Sequence, residues 1–160
     1  MAQGQAECTI RFMIVIAHNI RSLHNVGSIF RAAAAFGVKK LYLTGVTGQP
    51  PRKEIAKVAL GAEHLVPWQA GEFEVVIADL RQAGYRIVAL ETGGQSLVEY
   101  TRPDKLALVL GNEVEGLEVT ELALMDDRVT IPMAAKQSLN VSVATGVALY
   151  HLQCIRSLAG

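Results

Sequence analysis

A mostly parallel α/β sheet with helices on both faces is the fold that the sequence predicts, on three observations. Two continuous apolar runs, residues 10–17 (IRFMIVIA) and 106–110 (LALVL), suit strands buried on both sides. Amphipathic stretches separate the strand candidates at the spacing of β-α-β units. Three strand candidates also end in polar or glycine-rich residues: Glu91-Thr92-Gly93-Gly94, Gly111-Asn112-Glu113 and Ile131-Pro132-Met133. In a parallel sheet these ends share one edge and outline a pocket.

The chain has 160 residues, enough for one domain with a substantial core, and is read as a single domain throughout. Apolar residues make up 51% and charged residues 19%, a balance that excludes disorder. No apolar run approaches the roughly 20 residues of a membrane span. The start, MAQGQAECT, lacks the basic and apolar segments of a secretion signal, so a cytoplasmic protein is expected. Cys8 and Cys154 have neither metal-ligand nor redox spacing; Cys154 reads as core and Cys8 as a bystander.

Taken in order, residues 10–17 form the first strand and residues 18–24 a polar loop. Asn25 caps a helix that runs to Phe36, with Gly37 as its stop. Ile29, Ala32, Ala33 and Phe36 are its core stripe, and Arg31 points about 150° away from that stripe on a helix of 3.6 residues per turn. Residues 41–44 form a second strand, 45–51 a Gly/Pro-rich loop, and 52–60 a short helix. Residues 73–83 read as a helix, 86–91 as a strand and 92–95 (TGGQ) as a turn. The strand at 106–110 leads straight into Gly111-Asn112-Glu113. Residues 128–132 are a short strand, 133–139 a loop, and Asn140 caps the last helix.

That last helix carries two apolar stripes at helical spacing. One holds Val141, Ala144, Ala148, Leu152 and Ile155; the other, on roughly the opposite side, holds Val143, Val147, Tyr150 and Cys154. A surface helix needs one stripe, so the second predicts a homodimer through this helix.

Net charge is zero, but its distribution is uneven. Residues 1–60 hold eight Lys/Arg against two acids, and the remainder seven against thirteen. Folding either gathers the excess cations into an anionic-ligand face or intermixes them with the acids.

The common nucleotide and hydrolase fingerprints are absent: no G-x-G-x-x-G, G-x-x-x-x-G-K-[ST], G-x-S-x-G, H-E-x-x-H or C-x-x-C occurs. What remains is a set of polar residues at helix starts and strand ends: Asn25, Arg31, Glu113, Ser138 and Asn140. Each has an ordinary structural use, the two asparagines as caps, Arg31 as a solvated charge, Ser138 as a loop hydroxyl. Glu113 would suit the first turn of a following helix.

As a set they resemble a family. NIRSLHNVGSIFRAA (residues 19–33), LVLGNEVEGL (108–117) and IPMAAKQSLNVSVATGVALYH (131–151) are similar, in order and spacing, to the three motifs of SpoU/TrmH-type RNA 2′-O-ribose methyltransferases of the SPOUT superfamily. The likeness runs from residue 13 to 158. It implies an α/β fold whose C-terminal segment threads a loop in a deep trefoil knot, an exception to ordinary chain topology. It also implies a homodimer and the cofactor S-adenosylmethionine (product S-adenosylhomocysteine), held in the knot by Leu90, Glu91, Gly111, Ile131, Met133 and Leu139, with no metal.

The resemblance assigns Arg31 the central role near the ribose oxygen, with Asn25, Glu113, Ser138 and Asn140 at the other motif positions. Arginine normally stays protonated, so stabilising an emerging alkoxide or anchoring the neighbouring phosphate demands less of it than acting as a base. With no added RNA-binding domain expected, Arg11, Arg21, His24, Arg52 and Lys53 are the candidates for phosphate contacts to tRNA or rRNA. The alternatives are a methyltransferase of the same superfamily acting on a base nitrogen, and a non-catalytic RNA-binding or assembly protein. No membrane partner is expected.

Overall fold

The computed structural model describes residues 11–155. Cys8, and the residue at which the first strand was expected to begin, Ile10, lie outside that range. The elements run β1 (Phe12–His18), α1 (Leu23–Ala35), β2 (Lys40–Thr44), α2 (Lys53–Ala59), α3 (Ala62–Leu65), β3 (Trp68–Gly71), α4 (Phe73–Gln82), β4 (Arg86–Ser96), β5 (Lys105–Leu110), α5 (Val119–Leu122), β6 (Asp127–Thr130) and α6 (Val141–Cys154). One six-stranded sheet results, in the order β3-β2-β1-β5-β4-β6, with every neighbouring pair parallel.

The central strands explain the apolar runs. Five residues in a row on β5 and six on β1 are buried, because helices cover both faces. One core holds Met13, Val15, Phe30, Ile55 and Leu108 under α1, α2 and α6; the other holds Ile16, Ile77, Ile87 and Val109 under α4. In α1 the buried side chains are Val26, Ile29, Phe30 and Ala33, while Ala32 and Phe36 of the expected stripe are only half-buried; Phe36 is the C-cap, followed by Gly37 in the left-handed region (φ 68°). Gly27 belongs to the N-x-G-x-x-x-R sequence for a packing reason. A Cβ there would lie 2.6 Å from the carbonyl oxygen of Ile55, so only glycine lets α2 approach α1.

Several elements differ from expectation. Asn25 is not the cap of α1: Ser22 is, its Oγ accepting from the Asn25 N–H at 3.2 Å, so the helix starts three residues earlier. Residues 92–95 are not a free turn. They carry β4 on past a bulge, between Leu90 and Gln95, to pair again with β6. The strand expected at residues 128–132 starts one residue earlier and ends at Thr130. Strand β3 and the four-residue helices α3 and α5 were not expected from the sequence. Cys154 is half-buried rather than core.

The edge strand β6 is fastened by polar contacts. Asp127 accepts from Arg86 and from the Tyr100 hydroxyl at 2.7 Å. The Arg86 hydrogen bond holds the Asp127 carboxyl below its usual range, and burial together with Asp127 pushes the Tyr100 hydroxyl up. From β6 the chain crosses the ends of β4 and β5 to bring α6 alongside α1.

Candidate functional site

The C-terminal edge of the sheet holds a cavity of about 220 Å³. Its walls come from all three strand ends singled out in the sequence, together with residues 138–144 of the loop and first turn of α6. Leu90, Glu91, Gly111, Ile131, Met133 and Leu139 all line it, as do Glu113 and Ser138. Asn112, Thr92, Glu115, Val141 and Ala144 also line it and were not singled out one by one. Val141 and Ala144 could have been: they are the first residues of the apolar stripe that faces the strand ends.

The loop after β5 is shaped by its own residues. Asn112 Oδ1 accepts from the N–H groups of Val114 and Glu115, at 2.9 and 3.0 Å, and so closes an Asx turn. Its Nδ2 donates to the carbonyl of Asn19 at 3.0 Å, tying the loop to the end of β1. Gly111 packs against the return of the loop, where a Cβ would lie 2.7 Å from the carbonyl carbon of Gly116. Glu91, at the bulge of β4, accepts the Leu117 N–H at 2.7 Å and closes the loop from the other side.

Three of the five polar candidates form a directed chain across the motifs. Asn140 Nδ2 donates to Asn25 Oδ1 at 3.2 Å, and Asn25 Nδ2 donates to Glu113 Oε1 at 3.3 Å. Asn140 is at the same time the N-cap of α6, accepting from Ser142 N–H at 2.9 Å and from the Ser142 hydroxyl at 2.5 Å. Glu113 accepts further from the N–H groups of Ser22 at 2.9 Å and Arg21 at 3.2 Å. Burial pushes its carboxyl up, but these backbone donors, its own N–H and the Asn25 amide outweigh it, so Glu113 titrates below the ordinary 4.5. Because Ser22 takes over the capping, the Asn25 side chain is left to join the two motifs.

Arg31 and Ser138 stand apart from this chain. Ser138 lies on the exposed loop and lines the cavity. Arg31 is exposed on α1, six residues and about 9 Å of helix rise beyond Asn25, and makes no hydrogen bond or ion pair among the described residues. Arg21, His24, Arg52 and Lys53 are exposed in the segments that follow β1 and β2, hence toward the cavity's edge of the sheet; Arg52 lies 3.8 Å from Glu54. Arg11 does not join them. It precedes β1, at the opposite edge, where burial and then the charge of Arg11 bring Arg102 down to about 10.

Sequence reasoning missed the buried His18. Its ring stacks on Phe73 at 4.0 Å between centroids, with Nε2 donating to Glu121 at 2.7 Å and Nδ1 2.9 Å from Thr44 Oγ1. Helix α5 is thereby pinned to the end of β1; the capping box of Glu118 and Glu121 was the only available signal. Among the described residues, no cluster of His, Cys, Asp and Glu is arranged to hold a metal ion, and no helix is long and apolar enough to cross a membrane.

Residues 12–150 match the SpoU rRNA Methylase family. The chain is 33% identical over 154 residues to the tRNA (guanosine(18)-2′-O)-methyltransferase of Aquifex aeolicus, a match covering 92% of this chain and 72% of that one. It is 31% identical over 144 residues to a 23S rRNA (guanosine-2′-O-)-methyltransferase of Coxiella burnetii, covering 88% of this chain and 58% of that protein. The AdoMet-bound rRNA methyltransferase from Sinorhizobium meliloti superposes with a TM-score of 0.83 at 27% identity, over 92% of this chain and 58% of that one. The chain thus spans less than two thirds of two of these three proteins.

Proposed function

Since this chain belongs to the SpoU rRNA methylase family, we propose that it is an S-adenosylmethionine-dependent RNA methyltransferase that methylates a ribose 2′-hydroxyl of tRNA or rRNA. One observation carries the reading. The six residues expected to hold the cofactor line a single cavity, and Glu113 on its wall is hydrogen-bonded through Asn25 to Asn140.

The cavity suits the cofactor. Leu90, Leu110, Ile131, Leu139 and Val141 offer apolar walls to an adenine ring, while Thr92 and the strand-end backbone offer polar groups to its ribose and amino-acid end. When bound, S-adenosylmethionine supplies a methyl group already activated by its sulfonium charge. The protein's task is then to bring a ribose oxygen into line and to manage the charge as its proton leaves.

Arg31, exposed and without a hydrogen bond or ion pair among the described residues, would stabilise the developing alkoxide or hold the adjacent phosphate. The Asn140–Asn25–Glu113 chain fixes the loop before α6 against the start of α1, and Ser138 presents a hydroxyl at the cavity mouth. The asparagine–glutamate chain and Ser138 would position the ribose hydroxyl rather than activate it, and its proton would pass to solvent as charge develops on the oxygen. Arg21, His24, Arg52 and Lys53 extend the basic edge for phosphate contacts, which salt should weaken. Arg11, at the other edge, is outside this reading.

Two expectations belong to the same proposal. The crossing from β6 to α6 supports a C-terminal trefoil knot. Val143, Val147 and Tyr150 stay exposed on α6, by 51%, 42% and 53%, and support a homodimer through that helix. An RNA substrate would place the protein in the cytoplasm. The test is mass analysis of RNA nucleosides after incubation with labelled cofactor. A 2′-O-methyl nucleoside supports the proposal; a methylated base would move the activity to base nitrogen, and no product would leave an RNA-binding role.

A further inference from the structure

The cavity has a charge imbalance that the roles above do not use. Three carboxylates line it, Glu91, Glu113 and Glu115, and no lysine, arginine or histidine does. They are compensated to different degrees. Glu113 receives the Ser22 and Arg21 N–H groups and the Asn25 amide. Glu115 is exposed and receives nothing among the described residues. Glu91 is half-buried and receives one donor, the Leu117 N–H on Oε1, which leaves Oε2 without a partner among the described residues. Glu91 is also held in place, because Gly116 packs directly on its carboxylate and a Cβ there would collide with it. A fixed, half-satisfied carboxylate beside apolar walls attracts a cation more strongly than one free in water.

The methyl donor and its product differ in this respect. Transfer turns a sulfonium into a neutral thioether, because the electron pair of the broken S–C bond stays on sulfur, while shape and the other polar groups are retained. Resting on the cofactor reading of the previous section, we propose that Glu91 makes the cavity selective for the sulfonium-bearing donor over the demethylated product. Transfer itself then weakens the hold on what remains and helps to clear the site. Glu113 contributes less to this selectivity because its charge is already spent on three donors, and Glu115 less because solvent screens it.

The experiment is calorimetric titration of the wild type, Glu91→Gln and Glu115→Gln with S-adenosylmethionine, S-adenosylhomocysteine and sinefungin, which carries an ammonium group in place of the sulfonium. Glutamine keeps an acceptor for the Leu117 N–H, so the loop is retained. The wild type should bind both cationic ligands about tenfold more tightly than the product, equivalent to about 1.4 kcal/mol, and the ratio should fall as salt is raised. Glu91→Gln should cut the ratio to about twofold by weakening the two cations alone; Glu115→Gln should change it less than twofold. Equal weakening of all three ligands by Glu91→Gln, or a wild-type ratio near one, would overturn the inference and leave the cofactor reading intact. A Glu115→Gln effect as large as that of Glu91→Gln would overturn the assignment to Glu91. Failure of all three ligands to bind the wild type would overturn the cofactor reading as well. The wild-type ratio and its salt dependence need no variant.

Discussion

Glu113 is where removal of one side chain should separate the three motifs. In Glu113→Ala the N–H groups of Arg21 and Ser22 and the Asn25 amide lose their acceptor together. A hydrogen bond to an ionised group contributes about 1.5–3 kcal/mol when fully desolvated. This carboxylate is only partly buried and water can replace it, so the three together are discounted to about 2 kcal/mol. For a chain of this size that is a fall in Tm of about 4–8 °C. Glu113→Gln keeps one acceptor oxygen but turns an NH₂ toward an N–H donor, and should cost about 1 kcal/mol.

The pH dependence has a definite sign. The folded carboxyl titrates below the ordinary 4.5, so its contribution is complete above that value and is lost as pH falls through the folded value. The gap in stability between wild type and Glu113→Ala should therefore be constant near neutrality and close below about pH 4.5. Thermal melts at several pH values measure this, with methyl transfer assayed at 25 °C, where all variants are folded. A Tm within 1 °C of the wild type at neutral pH, or a gap that widens on acidification, would refute the reasoning. So would full transfer activity in Glu113→Ala, because the Asn25–Asn140 chain would then be idle.

Three further outcomes follow from the packing. Gly27→Ala should destabilise by about 1–3 kcal/mol, read from denaturant melts, because its Cβ must push back the α2 backbone at Ile55. Tyr100→Phe should cost about 1 kcal/mol by removing the donor to Asp127 at the sheet edge, without changing cofactor affinity in a titration. Val147→Asp, on the exposed face of α6, should yield a folded monomer in light scattering; a dimer at the same concentration would remove α6 as the interface.

The parts of the fold legible in the sequence were those decided by local pattern. Strands β1 and β5 sit in the middle of the sheet, so their unbroken apolar runs left little ambiguity. The cavity was legible for a related reason: in a parallel sheet strand ends share an edge, and these ends carry residues that an ordinary turn does not need. What stayed hidden is decided by partners distant in sequence. Strand β3 (WQAG) has no β-branched residue and exists because Trp68–Gly71 pair with β2. The glycines at 93 and 94 read as a turn, yet β6 resumes pairing at Gln95. Ser22 and Asn25 are both good caps by type. Which of them caps α1 depends on Glu113, 88 residues from Asn25, claiming the asparagine. His18 pairs with Glu121 across 103 residues, which no local reading reaches.

The central claim is that the cavity holds the methyl donor while Arg31, outside it, serves the ribose. The most direct measurement compares wild type and Arg31→Ala in single-turnover methyl transfer to RNA, with donor affinity determined on the same samples. The account predicts donor affinity within about twofold of the wild type and transfer slowed by two orders of magnitude or more, the scale of losing one preorganised charge-stabilising group. Transfer at the wild-type rate would contradict it, and so would a collapse of donor binding, since Arg31 does not line the cavity.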